Sequence, residues 1–250
     1  MKKLMFAAAI AAGLVAIGDG IESANTVGYT QFNLTGGKQD IAGTPFVSIG
    51  GSSFSIQNLT LSDPTDATDW IKVYNPLTGK YDKAIYWDEI YETLESEDPM
   101  GSGWGDDEGT IVSTTIDPGQ GFWMYSDKNT TVTVPGEVLP ASENSTSLTG
   151  GKQDIVAGIF PVATSIQAIT LSDPTDATDW IKIYNPTTGK YVKAIYWDEI
   201  YETLESEDPM GSGWGDDEGT VMNLTINPGQ GFWMYTDKNS TVSFAPPAAN

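Results

Sequence analysis

The stretch DWIKVYNPLTGKYDKAIYW, residues 69–87, predicts an antiparallel β-hairpin. Two runs rich in β-branched and aromatic residues flank a turn in which Pro76 fixes φ and Gly79 is free to take a positive φ. The same pattern recurs at 179–197 as DWIKIYNPTTGKYVKAIYW. A β-hairpin that occurs twice in one chain indicates two copies of one β-domain.

The duplication covers most of the 250 residues. Residues 55–135 align without a gap to 165–245 and differ at 15 of 81 positions, and the upstream segment LTGGKQDI also recurs, with a four-residue length difference between the copies. A segment rich in Pro, Ser and Asn separates the two copies. We therefore expect domains at 25–138 and 139–250, each large enough to bury a core of its own.

Short runs of strand-forming residues with turn signals between them predict an all-β fold. We expect two tandem, homologous, antiparallel β-sandwich or barrel-like domains, each with at most one short helix. The helix candidate is DEIYETLES at 88–96, where Ile90 and Leu94 would share a helical face. The strand candidate GFWMYS at 121–126 is apolar on both faces, which indicates either a central position or a contact outside its own domain.

Composition excludes much familiar chemistry. The chain has 34 acidic and 12 basic residues, a formal net charge of -22, and no cysteine, histidine or arginine. It therefore offers no thiol, no imidazole base and no guanidinium group that could clamp an anion. The negative charge also argues against nucleic acid as a partner, because binding to phosphates needs positive charge.

The N-terminus has the pattern of a secretory signal peptide. Lys2 and Lys3 precede the apolar run LMFAAAIAAGLVAI, which is short for a membrane span. We expect a signal peptide over residues 1–24, cleaved between 18 and 24, and no transmembrane segment in the mature chain. The protein is thus expected to be secreted, extracellular or at the cell surface, with a fold held by its cores and not by disulfides.

Two short motifs carry a resemblance to a known group of proteins. The segments NTVGY at 25–29 and PGQGFWMYSDKNTTVTVPGEV at 118–138 resemble those of uncharacterised secreted bacterial β-repeat proteins, and PGQGFWMYTDKN recurs at 228–239. In that group a short mature N-terminus leads into a β-rich repeat that ends in a Gly-Gln-Gly-Phe-Trp strand. The resemblance implies secretion and a β-domain, and it implies no activity.

Two acidic motifs, each present in both copies, are candidate calcium sites. DPTDATDW at 63–70 spaces three aspartates at intervals of three, without the pattern of an EF-hand. In SEDPMGSGWGDDEGT at 96–110, acids would meet around a cation if the chain folds back at its glycines. The alternatives are a solvated turn and a mobile acidic loop. The predicted ligands are Asp63, Asp66, Asp69, Asp98, Asp106, Asp107 and Glu108, with Asp173, Asp176, Asp179, Asp208, Asp216, Asp217 and Glu218 in the second copy.

Tryptophans are the candidate ligand-binding residues, because indole rings stack on the apolar faces of sugars. Trp104 and its counterpart Trp214 are flanked by glycines, and each either folds back as a plug or projects as a contact residue. Trp70 and Trp180 are further candidates, although strand tryptophans usually pack in cores.

These features favour a secreted, non-catalytic structural protein of the cell surface or extracellular matrix. It would assemble with itself or with other surface proteins through its β-domains, with support from calcium. One alternative is a bivalent carbohydrate-binding module that holds a polysaccharide with exposed tryptophans. Another is an extracellular hydrolase that uses paired carboxylates, although the sequence nominates no catalytic pair. Residues 83–110 and 193–220 are identical, which favours a surface that is needed twice.

Overall fold

The computed structural model describes residues 27–75, 78–140, 143–185 and 188–245. The predicted signal peptide at 1–24 lies outside these ranges, as do the first two residues of NTVGY. The described residues confirm the all-β prediction and form antiparallel sheets in two groups, one for each repeat.

Each repeat alternates short strands with tight turns. In repeat 1 the strands are β1 (Val27–Leu34), β2 (Lys38–Gly43), β3 (Phe46–Val47), β4 (Phe54–Ser55), β5 (Thr60–Leu61), β6 (Trp70–Asn75), β7 (Lys80–Ile90), β8 (Gly101–Gly105), β9 (Thr115–Ile116), β10 (Gly121–Ser126) and β11 (Thr130–Val138). In repeat 2 they are β12 (Ser145–Leu148), β13 (Lys152–Ala157), β14 (Thr164–Ser165), β15 (Ile169–Leu171), β16 (Trp180–Asn185), β17 (Lys190–Ile200), β18 (Gly211–Gly215), β19 (Thr225–Ile226), β20 (Gly231–Thr236) and β21 (Ser240–Phe244). Three-residue 3₁₀ helices span Ile56–Asn58 and Ile166–Ala168.

Two sheets face each other in each repeat. In repeat 1 a five-stranded sheet has the order β2-β10-β6-β7-β8, and β11 carries β1 on one side and β3 and β5 on the other. Repeat 2 repeats the five-stranded order as β13-β20-β16-β17-β18. The hairpin at 69–87 is present as the β6–β7 pair, with Trp70 opposite Ile85 and Asn75 opposite Lys80.

The core of repeat 1 fills the space between its sheets. Ile71 and Phe122 come from the five-stranded sheet, Val132 and Val134 come from β11, and all four are fully buried in one cluster. Burial of such side chains contributes roughly 1.5–3 kcal/mol each. The arrangement is a β-sandwich, as the alternation of apolar and polar residues predicts.

The predicted helix at 88–96 is wrong. Strand β7 continues to Ile90, whose carbonyl accepts the N–H of Met100, and Tyr91 N–H bonds to the carbonyl of Gly109. These bonds to segments distant in the chain use the backbone groups that a helix would need. Leu94, which would have anchored the helix, is 68% exposed.

The glycine-rich segment that looks like a loop contains an edge strand. Strand β8 pairs with β7, with Trp104 opposite Tyr86 and Gly103 opposite Trp87. Gly103 is required here by close approach, because a Cβ at this position would lie 2.8 Å from Ile90 Cδ1 and 2.9 Å from Gln57 Oε1. The glycines that favour a loop prediction therefore serve tight packing.

The two repeats join through a reciprocal seam. Gly43 N–H donates to the carbonyl of Gly229, and at the matched positions Ala157 N–H donates to the carbonyl of Gly119. The side chain of Val47 also packs into the hydrophobic cluster of repeat 2. Because each repeat gives the same contact that it receives, the repeats are related by an approximate two-fold axis.

The tryptophans of GFWMYS and its copy lie at this seam. The rings of Trp123 and Trp233 meet edge to face with their centroids 5.8 Å apart. Strand β10 is thus apolar on both faces because one face packs on its own core and the other contacts the second repeat. The strand is therefore central in its sheet and also makes a contact outside its own domain, the two explanations that the sequence left open.

Candidate functional site

Trp104 and Trp214 are plugs and do not project into solvent. Each side chain is 1% exposed, and the indole N–H of Trp104 donates to the carbonyl of Leu59 at 3.3 Å. Tyr86 packs on the Trp104 ring edge to face, with the centroids 5.7 Å apart. The prediction of these two residues as ligand contacts is therefore wrong. Their glycine-rich surroundings show no strand pattern in the sequence, but both rings fill the core.

Gln57 holds the backbone of Trp104 in place. Its Oε1 accepts the N–H of Trp104 at 3.1 Å, and its Nε2 donates to the carbonyls of Trp104 at 2.6 Å and of Val112 at 2.9 Å. Gln167 makes the same three bonds around Trp214. The amide side chain covers the outer edge of β8, so this part of the edge is not open to another strand.

The aspartates of DPTDATDW separate into three roles. Asp63 is exposed and its carboxylate lies 3.3 Å from Lys128 Nζ, and Asp173 makes the matching ion pair with Lys238 at 3.2 Å. Asp66 Oδ1 accepts the N–H of Asp88 at 2.8 Å, as Asp176 does for Asp198. These two bonds tie the aspartate turn to the strand that leads into the acidic segment.

Asp69 and Asp179 are fully buried, and each ties its own aspartate turn to the turn that follows β10 or β20. The two carboxylate oxygens of Asp69 accept the N–H groups of Thr65 and Asp127, each at 2.8 Å. Asp179 makes the equivalent bonds to Thr175 and Asp237. Burial raises the pKa of the Asp179 carboxyl, and these hydrogen bonds oppose the rise. Both oxygens of each carboxylate are engaged by backbone, which is the role of a structural clasp.

The acids after Trp104 close a tight turn. Asp106 Oδ1 accepts the N–H groups of Glu108 and Thr110 at 3.0 and 2.9 Å, and Asp216 does the same for Glu218 and Thr220. The next acid, Asp107, is exposed and lies 3.5 Å from Lys83 Nζ. Its counterpart Asp217 and the upstream pair Asp98 and Asp208 are also exposed.

One hollow brings the two acidic motifs together. Asp66 from the first motif and Glu108 from the second line an open hollow of about 350 Å³, with Trp87, Asp88 and Glu89 as neighbours. The indole N–H of Trp87 donates to the carbonyl of Asp106 at 2.9 Å, so the ring is fixed. We call this region the acidic hollow. All its residues recur in repeat 2 at an offset of 110.

The acidic hollow favours a positively charged group. Four carboxylates around an indole face attract a cation and repel an anion. Within the described ranges, no three acids lie close enough together to hold a metal ion. The convergence of Asp66 and Glu108 is thus real, whereas calcium binding stays a prediction.

Trp70 and Trp180 are half-buried on the outer face of the five-stranded sheets. The ring of Trp70 stacks on Tyr125 with centroids 5.6 Å apart, and Lys72 Nζ lies 4.5 Å from its centroid. Trp180 repeats this arrangement with Tyr235 and Lys182. Each indole ring is thus already in contact with a tyrosine ring and a lysine ammonium of the same repeat.

Two carboxyls at the seam are important residues that the sequence analysis missed. Asp40 and its counterpart Asp154 lie on the strands that meet across the seam, and burial raises the pKa of each carboxyl. Burial raises the pKa of Tyr81 and of Tyr191, and the charges of Asp154 and Asp40 across the seam raise them further. In the sequence, both aspartates stand at polar positions of alternating strands, which predicts exposed residues. The sequence does not reveal that the other repeat covers them.

Comparisons with known protein families, with curated proteins and with solved structures gave no match. Within the described part of the chain, no helix has the length and hydrophobicity needed to cross a membrane.

Proposed function

We propose that this chain is a secreted, non-catalytic structural protein of a cell-surface or extracellular layer. Its two repeats act as one rigid connector that joins further copies of the chain or other surface proteins. The reciprocal seam, with Trp123 against Trp233 and paired main-chain bonds, is the observation that carries this proposal. A seam of aromatic and backbone contacts fixes the distance and angle between the repeats, as a load-transmitting spacer requires.

The two-fold seam displays one surface twice. The acidic hollow around Trp87 recurs around Trp197 with an identical sequence over 83–110 and 193–220. Two equal surfaces on a rigid body can engage one partner twice, and the second engagement gains effective concentration. A lysine ammonium of a neighbouring chain or a calcium ion has the charge that these hollows attract.

Strand β1 is the edge at which copies of the chain can meet. It pairs only with β11 among the described strands, and Val27 and Tyr29 are 61% and 68% exposed. Its sequence VGYTQFNL has no charged residue and no proline. An uncharged open edge readily accepts another strand, and in a chain of net charge -22 its lack of acidic residues reduces the electrostatic repulsion between copies.

Sedimentation velocity of the mature protein at rising concentration tests the proposal. We expect the weight-average mass to grow with concentration and to grow further when calcium is added. The variant Val27→Glu/Tyr29→Glu places charge on the open edge, so it should remain monomeric. Ile49→Glu is the matched control, because Ile49 is 76% exposed and lies outside β1.

The result that overturns the proposal is a wild-type protein that stays monomeric at high concentration both with and without calcium. Assembly that Val27→Glu/Tyr29→Glu leaves unchanged would reject the β1 contact while retaining the structural function.

The tryptophan-based carbohydrate alternative has lost its main support, because Trp104 and Trp214 are buried.

A further inference from the structure

Differences between the two repeats are concentrated in one groove of repeat 1. The repeats differ at 15 of the 81 positions that align without a gap. Seven of these differences, at 73, 82, 111–114 and 117, fall among the eleven residues that line the groove. An even spread, 15 in 81, would place about two of them among eleven positions. The lining of this groove thus differs between the repeats, whereas the residues of the acidic hollow are the same in both.

The groove opens at one end of the space between the sheets. It has a volume of about 730 Å³, and its lining includes Val73, Asp82 and the segment 111–115. Val73 and Asp82 are paired across β6 and β7, so their side chains point to the same, core-facing side of the sheet. Val73 is buried in the core cluster, so the accessible apolar surface of the lining comes from the half-buried Ile111 and Val112.

At two positions of this lining, repeat 2 has an apolar residue where repeat 1 has a polar one. Val192 stands at the position of Asp82 and pairs with Ile183. Leu224, at the position of Thr114, packs against the core cluster of repeat 2. An apolar side chain is thus compatible with the fold at both positions. Repeat 1 instead has a carboxylate at position 82, held by a bond from Asn75 Nδ2 to Asp82 Oδ2 at 2.8 Å, and a threonine at position 114.

The lining has the chemistry of a site for a hydroxyl-rich ligand. Asp82 and Asp117 supply acceptors, Asn75 and Gln120 supply amides, and segment 111–115 adds three hydroxyl side chains beside apolar surface. No lysine is among the lining residues, so the groove repels anions. Its volume lies in the range of small-molecule sites, about 300–1,000 Å³.

The groove continues to the seam between the repeats. A second cavity of about 300 Å³ shares Tyr74, Asp117 and Gln120 with it and reaches Lys152 and Asp154 of repeat 2. Gln120 Nε2 donates to the carbonyl of Tyr74 at 2.6 Å, which fixes the wall between the two cavities. A ligand of linked units that fills the groove would extend past these shared residues into the second cavity.

We propose that this cleft of repeat 1 binds a neutral carbohydrate chain and that repeat 2 lacks the matching site. Asp82 and Asp117 accept hydrogen bonds from sugar hydroxyls, and Ile111 and Val112 contact an apolar sugar face. The proposal goes beyond the structural function and depends on neither the β1 contact nor the acidic hollow.

The test uses the residues of repeat 2 as replacements. The full mature chain is screened against neutral oligosaccharides of glucose, xylose, mannose and N-acetylglucosamine on a glycan array, and any hit is titrated by calorimetry. We expect one site per chain and at least tenfold weaker binding in Asp82→Val/Asp117→Asn. Asp98→Asn changes the same kind of charge outside the cleft and should bind like the wild type.

The melting midpoint of each variant separates lost binding from lost fold. Asp82→Val/Asp117→Asn should melt no lower than the wild type, because repeat 2 carries these residues in the same fold. If it does not fold, Asp117→Asn alone is used, since Asp117 is exposed and asparagine has the same shape. No binding to any of the four oligosaccharide classes, or equal binding by folded variant and wild type, overturns the proposal.

Discussion

Trp123 and Trp233 occupy the same position in the two repeats, and their rings meet each other edge to face at 5.8 Å. A residue that contacts its own counterpart must lie close to the two-fold axis that relates the copies. The pair therefore marks the centre of the seam, and the main-chain bonds of Gly43 and Ala157 lie to either side of it.

Mutation of this pair should show energetic coupling between the repeats. We expect Trp123→Ala and Trp233→Ala each to lower the free energy of unfolding, and the double variant to lose less than the sum. Edge-to-face aromatic pairs contribute about 0.5–1.5 kcal/mol beyond the area they bury, so the coupling energy should fall in this range. Urea denaturation of the four proteins in the cycle measures it, and strictly additive losses would mean that the ring contact adds no stability.

Loss of the Gln57 side chain should destabilise repeat 1. Gln57→Ala removes the partner of the Trp104 N–H and of the Val112 carbonyl, and leaves the Trp104 carbonyl with only the bond from Val112 N–H at 3.3 Å. A buried polar group left unsatisfied costs about 1–3 kcal/mol. Gln31→Ala is the control, because that side chain bonds to Thr133 at an exposed site. In urea denaturation, equal losses in the two variants would contradict the edge-capping role of Gln57.

An added methyl group at Gly103 should also destabilise the protein. The new Cβ would press on Ile90 Cδ1 and Gln57 Oε1 at less than 3 Å, and overpacking of this kind costs about 1–3 kcal/mol. The control is Gly28→Ala, since a Cβ there would lie 3.5 Å from Phe46, an ordinary contact. Thermal melting compares the two variants, and a midpoint for Gly103→Ala as high as that of Gly28→Ala would show that β8 adapts.

The seam carboxyls should make the protein less stable as the pH rises. Burial raises the pKa of Asp40 and of Asp154 above the usual value of 3.8. The folded state then binds these protons more tightly than the unfolded chain does. Their contribution is therefore fully present below pH 3.8 and is lost as the pH rises through the folded pKa.

Asp40→Asn and Asp154→Asn should accordingly be more stable than the wild type at neutral pH. This advantage should vanish below pH 3.8, where the aspartates are already protonated. Urea denaturation across the acidic range measures the effect, and Asp98→Asn, an exposed carboxylate, is the control. A seam variant that is no more stable than this control at neutral pH would disprove the effect.

Alternation and turn chemistry were sufficient to predict the strands of the β6–β7 hairpin, the strand at 121–126 and the all-β class. They failed for β8, because Gly103 and Gly105 are in the strand for reasons of packing against residues distant in sequence. The helix prediction failed because Ile90 and Leu94 have helical spacing, whereas the backbone at Ile90 and Tyr91 bonds to Met100 and Gly109. Local pattern does not reveal such long-range partners.

The candidate site was predictable only in part. Asp66 and Glu108 were both nominated from acidic motifs, but their meeting in one hollow depends on the bond between Asp66 and Asp88. Asp69 was nominated as a ligand for the same reason and is instead a buried clasp. Composition identifies acidic residues, whereas only the fold decides which of them face solvent.

The reciprocal seam has a consequence for the ancestry of the chain. Each repeat carries both halves of a self-complementary contact, one at Gly43 or Ala157 and the other at Gly229 or Gly119. A lone ancestral repeat would already have been its own partner, as in a homodimer. With both repeats in one polypeptide, each half is free to change separately. In a symmetric homodimer, one substitution changes the groove in both subunits. In this chain the two grooves can differ, as they do at the matched positions of Asp82 and Val192.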